Sequence, residues 1–268
     1  MLDFNGKTVV ITAGASAMAR CIARLMGGRG ANLVIADIDM AAAEALAAEL
    51  PSAVAAKCDV RSPEDIERVR DLTIDRFGPA DIVMSHAGIG SAGLVQDISD
   101  EDWTRLLDLN VIGMARVIRA FLPDMLARES GHLILTSSSL ALLPGHPVSV
   151  VAAPYITSKA AVIGLAQAIA TAHRSQGIKV TLFAPDATDT GWAPEPARDA
   201  GRDKVREIVA GLPQYSRHTP EHAAEVLIAA LDEGRFLASA TPNHEQLLRL
   251  QADALLDPSA FAAVYVPA

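Results

Sequence analysis

The sequence predicts an α/β fold, a single domain over residues 1–268 built on one doubly wound parallel sheet with helices on both faces. Three observations carry this. Short β-branched runs alternate with longer segments of helical period along the whole chain. The strand runs are apolar throughout instead of alternating in and out, so both of their faces are expected to be covered. Strand and helix taking turns implies right-handed crossovers between parallel neighbours.

The elements follow in order. Residues 7–12 (KTVVIT) read as a first strand and 18–29 as an amphipathic helix behind it. Residues 32–37 (NLVIAD) form a second strand; 40–50, rich in Ala, Glu and Leu, are strong helix formers. Residues 54–59 make a third strand. Ser62-Pro63-Glu64-Asp65 then opens a helix with an N-cap, a proline at the first helical position and first-turn acids. Residues 81–85, 132–137 and 179–184 continue the strand series, and 235–238 supply a last edge strand. The long helices expected at 101–127 and 154–175 carry more apolar surface than one sheet face needs, which predicts a homo-oligomer, a dimer or a tetramer. Two segments break the rhythm: an apolar loop at 139–154 with three prolines, and an insertion at about 187–215. Loops of this length in a compact domain usually serve a ligand, so the second is expected to cover substrate. A C-terminal extension at about 239–268, including 245–256, exceeds what the sheet requires and is expected to cover a neighbouring site or subunit.

The formal net charge of −9 argues against a nucleic-acid or anionic-membrane partner, which needs clustered Lys and Arg. The two cysteines, Cys21 and Cys58, lack metal-ligand spacing and read as reduced core thiols. The chain starts with an acid-bearing segment that runs straight into a strand, and its most apolar stretch, 160–172, is too short for a bilayer, which takes about 20 residues. A cytoplasmic protein acting on a small molecule is expected.

In an open parallel sheet, ligands settle beyond the carboxyl ends of the strands. The first such turn reads Thr12-Ala13-Gly14-Ala15-Ser16-Ala17-Met18-Ala19, small residues leading into a helix start that can receive a phosphate. Read alone, it is equally a tight turn with no ligand. Asp37, closing the second strand, can accept hydrogen bonds from the ribose hydroxyls of an adenosine and would repel a 2′-phosphate. Ser16 and Ile38 stand where a basic residue would reverse that choice, so a bound dinucleotide would be NAD rather than NADP. Asp59 and Val60 face an adenine or merely cap a turn.

Tyr155 and Lys159, four apart, share one helical face. An ammonium beside a phenol is expected to lower its reference pKa of about 10, which suits Tyr155 to general acid/base work. Ser138, ending the strand at 132–137, lies on the same rim and can hold a substrate oxygen. His86, His132 and His146 have no recognisable partners and read as packing or surface histidines.

Together these residues resemble the short-chain dehydrogenase/reductase family, a Rossmann-type fold, over residues 7 to about 238. The matching pieces are the first turn, Asp37, Asp59-Val60, Ala87-Gly88, Asn110 in LDLNVIG, Ser138, Tyr155-x-x-x-Lys159, Pro185 and Thr190. The resemblance implies a catalytic tetrad of Asn110, Ser138, Tyr155 and Lys159. It implies that Asn110 holds a water, that Lys159 touches the nicotinamide ribose and that Thr190 meets its carboxamide. Thr12, Gly14, Ser16, Ala17, Met18, Asp37, Asp59, Val60, Ala87, Gly88 and Pro185 would line the NAD site.

The departures all fall on the coenzyme side. The family's turn is usually T-G-x-x-x-G-x-G, and Ala13, Ala17 and Ala19 replace its three glycines. N-N-A-G has become Ser85-His86-Ala87-Gly88, P-G has become Pro185-Asp186, and Thr181 stands where an Asn is common. An added methyl costs little at negative φ but of order 1 kcal/mol at positive φ, and it can hold a pyrophosphate away. The sequence therefore predicts an NAD-dependent enzyme interconverting a secondary alcohol and a ketone on a fairly hydrophobic molecule. The alanine-filled turn keeps two alternatives open: a non-redox enzyme on the same scaffold (lyase, isomerase or dehalogenase-like), or a non-catalytic binding protein.

Overall fold

Seven parallel strands lie in the order β3-β2-β1-β4-β5-β6-β7 in the computed structural model, which describes residues 1–142, 147–191, 195–196 and 218–256. They are β1 (Thr8–Thr12), β2 (Asn32–Asp37), β3 (Ala53–Lys57), β4 (Ile82–Ser85), β5 (Gly131–Thr136), β6 (Ile178–Ala184) and β7 (Leu237–Ser239). The helices are α1 (Ala17–Gly28), α2 (Met40–Glu49), α3 (Pro63–Phe77), α4 (Asp100–Leu107), α5 (Met114–Ala127), α6 (Ala153–His173), α7 (Pro220–Asp232) and α8 (His244–Leu256). The order reverses between β1 and β4, the switch point at which such sheets open a crevice.

Continuous apolar strands do cover two cores. Val9, Ile11, Leu33 and Ile35 pack with α1, α2 and α7 on one face. Val10, Val34 and Ala36 pack with α3, α5 and α6 on the other. Alternate side chains of a strand point to opposite faces, so one strand feeds both layers.

Local chemistry sets the helix starts. Ser62 accepts from the Asp65 N–H with Pro63 in the first turn, as expected from the sequence. Asp39, Ser99 and Thr219 cap α2, α4 and α7 in the same way.

Several expectations shift. The third strand ends at Lys57, not at residue 59, because the Asp65 carboxylate takes the Asp59 N–H and Ser62 N–H reaches the Asp59 carbonyl, closing a turn. The helix expected over 101–127 is broken by a π turn at Asp108–Gly113. The 139–154 loop holds a helical turn, Ser139–Leu142, and a 3₁₀ turn, Pro147–Val151. Within the 187–215 insertion, Glu195–Pro196 pairs with Ser91–Ala92, and Thr188 bridges to His218. His146, most of that insertion and residues 257–268 lie outside the described residues. Cys58 is a buried thiol, but Cys21 is only half-buried, with Glu221 beside it. His132 is not partnerless: it is buried, and its Nε2 meets the Thr181 hydroxyl at 2.9 Å.

Candidate active site

At the end of β1 the Thr12 hydroxyl accepts the N–H groups of His86 (3.0 Å) and Ala87 (3.2 Å), which ties the first turn to the loop after β4. Gly14 is sterically required. A Cβ there would stand 2.8 Å from the Ile11 carbonyl and 2.9 Å from Ile35 Cγ2. Of the three alanines only Ala13 adopts a left-handed backbone, at φ 49°. Ala17 opens α1, Met18 packs partly buried beside it, and Ala19 is fully buried. The strain expected from the missing glycines is thus confined to one residue.

Ser16 occupies the N-cap position of α1, yet its hydroxyl makes no capping bond and is buried without a partner. An orphan hydroxyl beside the free N–H groups of a helix start suits an anionic oxygen. Asp37 is buried; one carboxylate oxygen accepts from Ala15 N (2.9 Å) and the other from Asp39 N (3.0 Å). These bonds fix it between the turn and α2 while leaving a lone pair on each oxygen. Ile38 beside it is 60% exposed. Asp59 behaves as a turn residue. Its carboxylate accepts from the Arg61 backbone N–H (2.9 Å) and from the guanidinium (2.6 Å at the shortest), and that guanidinium holds it below the usual carboxylate range. Val60 is buried against Gly113, where a Cβ would lie 2.9 Å from its Cγ2.

Ser138 is buried at the end of β5, and its hydroxyl is hydrogen-bonded to Tyr155. Helix α6 places Tyr155 and Lys159 one turn apart, with Nζ 5.8 Å from the phenol ring centroid. Lys159 is 3% exposed and donates to the Thr136 carbonyl at 3.0 Å. Burial lowers its pKa to about 8. Gly88 makes room for it: a Cβ there would stand 3.1 Å from Nζ and 3.5 Å from Asn110 Oδ1. The expected lowering of the Tyr155 pKa is not what the structure gives. Burial raises the phenol above its ordinary value, and the Ser138 hydrogen bond offsets only part of that.

Asn110 sits in the π turn, wholly buried. Its Oδ1 accepts from Ile89 N (2.8 Å), and its Nδ2 donates to the Ile89 carbonyl (2.9 Å) and to Ser158 Oγ (2.9 Å). The side-chain amide is therefore spent on the fold, and Ser158 in turn donates to the Tyr155 carbonyl (2.7 Å). His86, the departure from the usual asparagine, bonds the Thr136 hydroxyl through Nδ1 at 3.0 Å. Burial, helped by the Lys159 charge, lowers its pKa to about 4, which keeps the ring neutral. On the neighbouring loop the buried Pro185 accepts from Ser139 N (3.0 Å), and Thr190 N donates to the Thr188 carbonyl (3.0 Å).

The sheet's carboxyl rim thus brings Ser138, Tyr155, Lys159, Asn110 and Gly88 together, with Thr12, Gly14, Ser16 and Asp37 farther along it. Sequence reasoning passed over Thr136, Ser158 and Ser139. Only their position beside motif residues could have drawn notice, because a small hydroxyl residue carries no signal of its own.

A parallel switch-point sheet with a serine, a tyrosine and a lysine on one rim defines a Rossmann-type protein with a candidate site on that rim. The family model described as short chain dehydrogenase matches residues 7–200. The chain belongs to the short-chain dehydrogenase/reductase family. It is 30% identical over 246 residues to the oxidoreductase UcpA of Escherichia coli, covering 88% of this chain and 92% of that protein. It is also 30% identical over 233 residues to the 2,5-dichloro-2,5-cyclohexadiene-1,4-diol dehydrogenase of Sphingobium indicum, covering 85% and 92%. A short-chain dehydrogenase/reductase from Burkholderia phymatum, solved in complex with NAD, shares the fold with a TM-score of 0.80 at 24% identity, covering 96% of each chain.

Proposed function

We propose that this oxidoreductase uses NAD to interconvert a secondary alcohol and a ketone on a fairly hydrophobic small molecule. The observation that carries the reading is the Ser138–Tyr155 hydrogen bond with Lys159 packed beneath it. The diol named for the Sphingobium relative is a substrate of this chemical kind. Ser138 and Tyr155 together hold the substrate oxygen, and Tyr155 exchanges the proton on it. Lys159 places an ammonium under the phenol and favours its phenolate form as the site fills. Asn110 braces the start of α6 through Ser158 and so sets where Tyr155 stands.

The residues at the other end fit a dinucleotide. The buried, unpartnered Ser16 hydroxyl and the α1 start would take the pyrophosphate. Asp37 would take the adenosine ribose and exclude a 2′-phosphate, which favours NAD over NADP. Ala87, Gly88, Pro185 and Thr190 would border the nicotinamide half. Bound NAD supplies the hydride acceptor, and the protein supplies orientation and proton transfer. The same reading includes a cytoplasmic homo-oligomer.

One observation favours the non-redox alternative, namely the strained Ala13 where a pyrophosphate would rest. Titrating the protein with NADH and following its fluorescence separates the two. The redox reading expects saturable binding by the natural chain, tightened by Ala13→Gly. Binding by the glycine variant alone would leave the natural protein without its coenzyme.

A further inference from the structure

Asp186 stands where the family usually has glycine, so a carboxylate has been added beside the catalytic serine. It is held there. Its Oδ1 accepts the Ser139 hydroxyl at 3.0 Å and the Ala187 N–H at 2.8 Å, while Ser139 is buried and donates its own N–H to the Pro185 carbonyl at 3.0 Å. Two loops, one carrying Ser138 and the other carrying Pro185 and Thr190, are thereby joined by one side-chain bond and one main-chain bond. The second carboxylate oxygen has no hydrogen-bond partner among the described residues, and no Lys or Arg among them pairs with it.

We propose that Asp186 sets the coenzyme preference of the site, its clamped carboxylate favouring the cationic oxidised coenzyme over the neutral reduced one and so holding the bound equilibrium toward alcohol and NAD+. This rests on the reading that a nicotinamide coenzyme binds here. Oxidising the alcohol moves a hydride, two electrons and one proton, from the carbinol carbon to the coenzyme. The hydroxyl proton leaves through Tyr155, and the coenzyme ring loses its positive charge. Reacting atoms must come within about 3–3.5 Å, so the ring has to lie against the carbon whose oxygen Ser138 holds. Asp186 is latched to the very next residue, which puts its charge within roughly 10 Å of that ring. At an effective dielectric intermediate between protein and water, one charge at that range changes relative affinity about tenfold.

The test is calorimetric titration of the full chain with NAD+ and, separately, with NADH. It compares the natural protein with Asp186→Asn, which keeps an acceptor oxygen but loses the charge, and Ser139→Ala, which opens the latch and keeps the charge. Asp186→Asn is expected to shift the ratio of the two dissociation constants about tenfold toward NADH, and Ser139→Ala by less than about twofold. If Asp186→Asn does not fold, Asp186→Gly takes its place with the same expected shift. An unchanged ratio in the charge-removing variant, or an equal shift in Ser139→Ala, overturns the inference while the coenzyme reading stands. Failure of both coenzyme forms to bind the natural protein removes the coenzyme reading, and this inference with it.

Discussion

Ala13 is the residue at which local chemistry and site requirements disagree. Its φ of 49° is a conformation that glycine adopts freely and that costs alanine about 1 kcal/mol. Ala13→Gly should therefore raise the unfolding free energy by about 1 kcal/mol. Ala19→Gly, at a buried position inside α1, should lower it by about 0.5–1 kcal/mol. Denaturant melts of the two variants check both signs, and equal effects in one direction would mean the turn is relaxed. The three substitutions are plain in the sequence, but which one carries strain is not, since φ depends on how the turn closes onto Gly14 and Ala36. The direction of the Tyr155 shift was hidden for a similar reason. The Tyr-x-x-x-Lys spacing announces the neighbour, but burial of the phenol, which the spacing does not show, sets the direction.

Elements explain how well the site residues could be located. Strand β2 lies where the apolar run places it, and the other strands begin or end within one or two residues of the pattern, because a buried run stops where polar turn residues begin. The π turn at Asp108–Gly113 escaped notice, since one extra residue in a turn barely disturbs an amphipathic period. That turn directs Asn110 across to Ile89 and Ser158, so the start of α6 is held by a helix two elements away. Ser158→Ala removes the acceptor for Asn110 and the donor to the Tyr155 carbonyl. It should cost about 1–2 kcal/mol of stability and lower kcat more than it raises KM. Urea melts and steady-state kinetics measure the two effects, and a change confined to KM would place Ser158 outside the positioning of Tyr155.

Across the whole molecule, acid sensitivity follows from histidines folded into the strand ends. His86 and His132 each have a pKa near 4 in the fold, in both cases chiefly through burial. An unfolded histidine titrates near 6.5, so between pH 6.5 and 4 the unfolded chain binds more protons than the native one. Stability should be insensitive to these groups above about pH 6.5 and fall steadily as the pH drops through that window. The loss is up to about 3 kcal/mol for the buried His132. Asp59, Asp65 and Asp232, all held below their ordinary range, lose their contributions only at lower pH. Urea midpoints at pH 7, 5.5 and 4.5 should decline, with a shallower slope in His132→Gln; a flat profile would mean that the imidazoles are protonated in the fold.

The convergence of distant strands on one phenol is tested most directly by following NADH formation from NAD+ and a panel of neutral secondary alcohols and diols, for the natural protein and for Tyr155→Phe. Turnover is expected to fall about 10²- to 10⁴-fold in the variant while its affinity for NAD+ stays within about threefold. Native turnover without the phenolic hydroxyl, or a natural protein that never takes up the dinucleotide, would contradict the account.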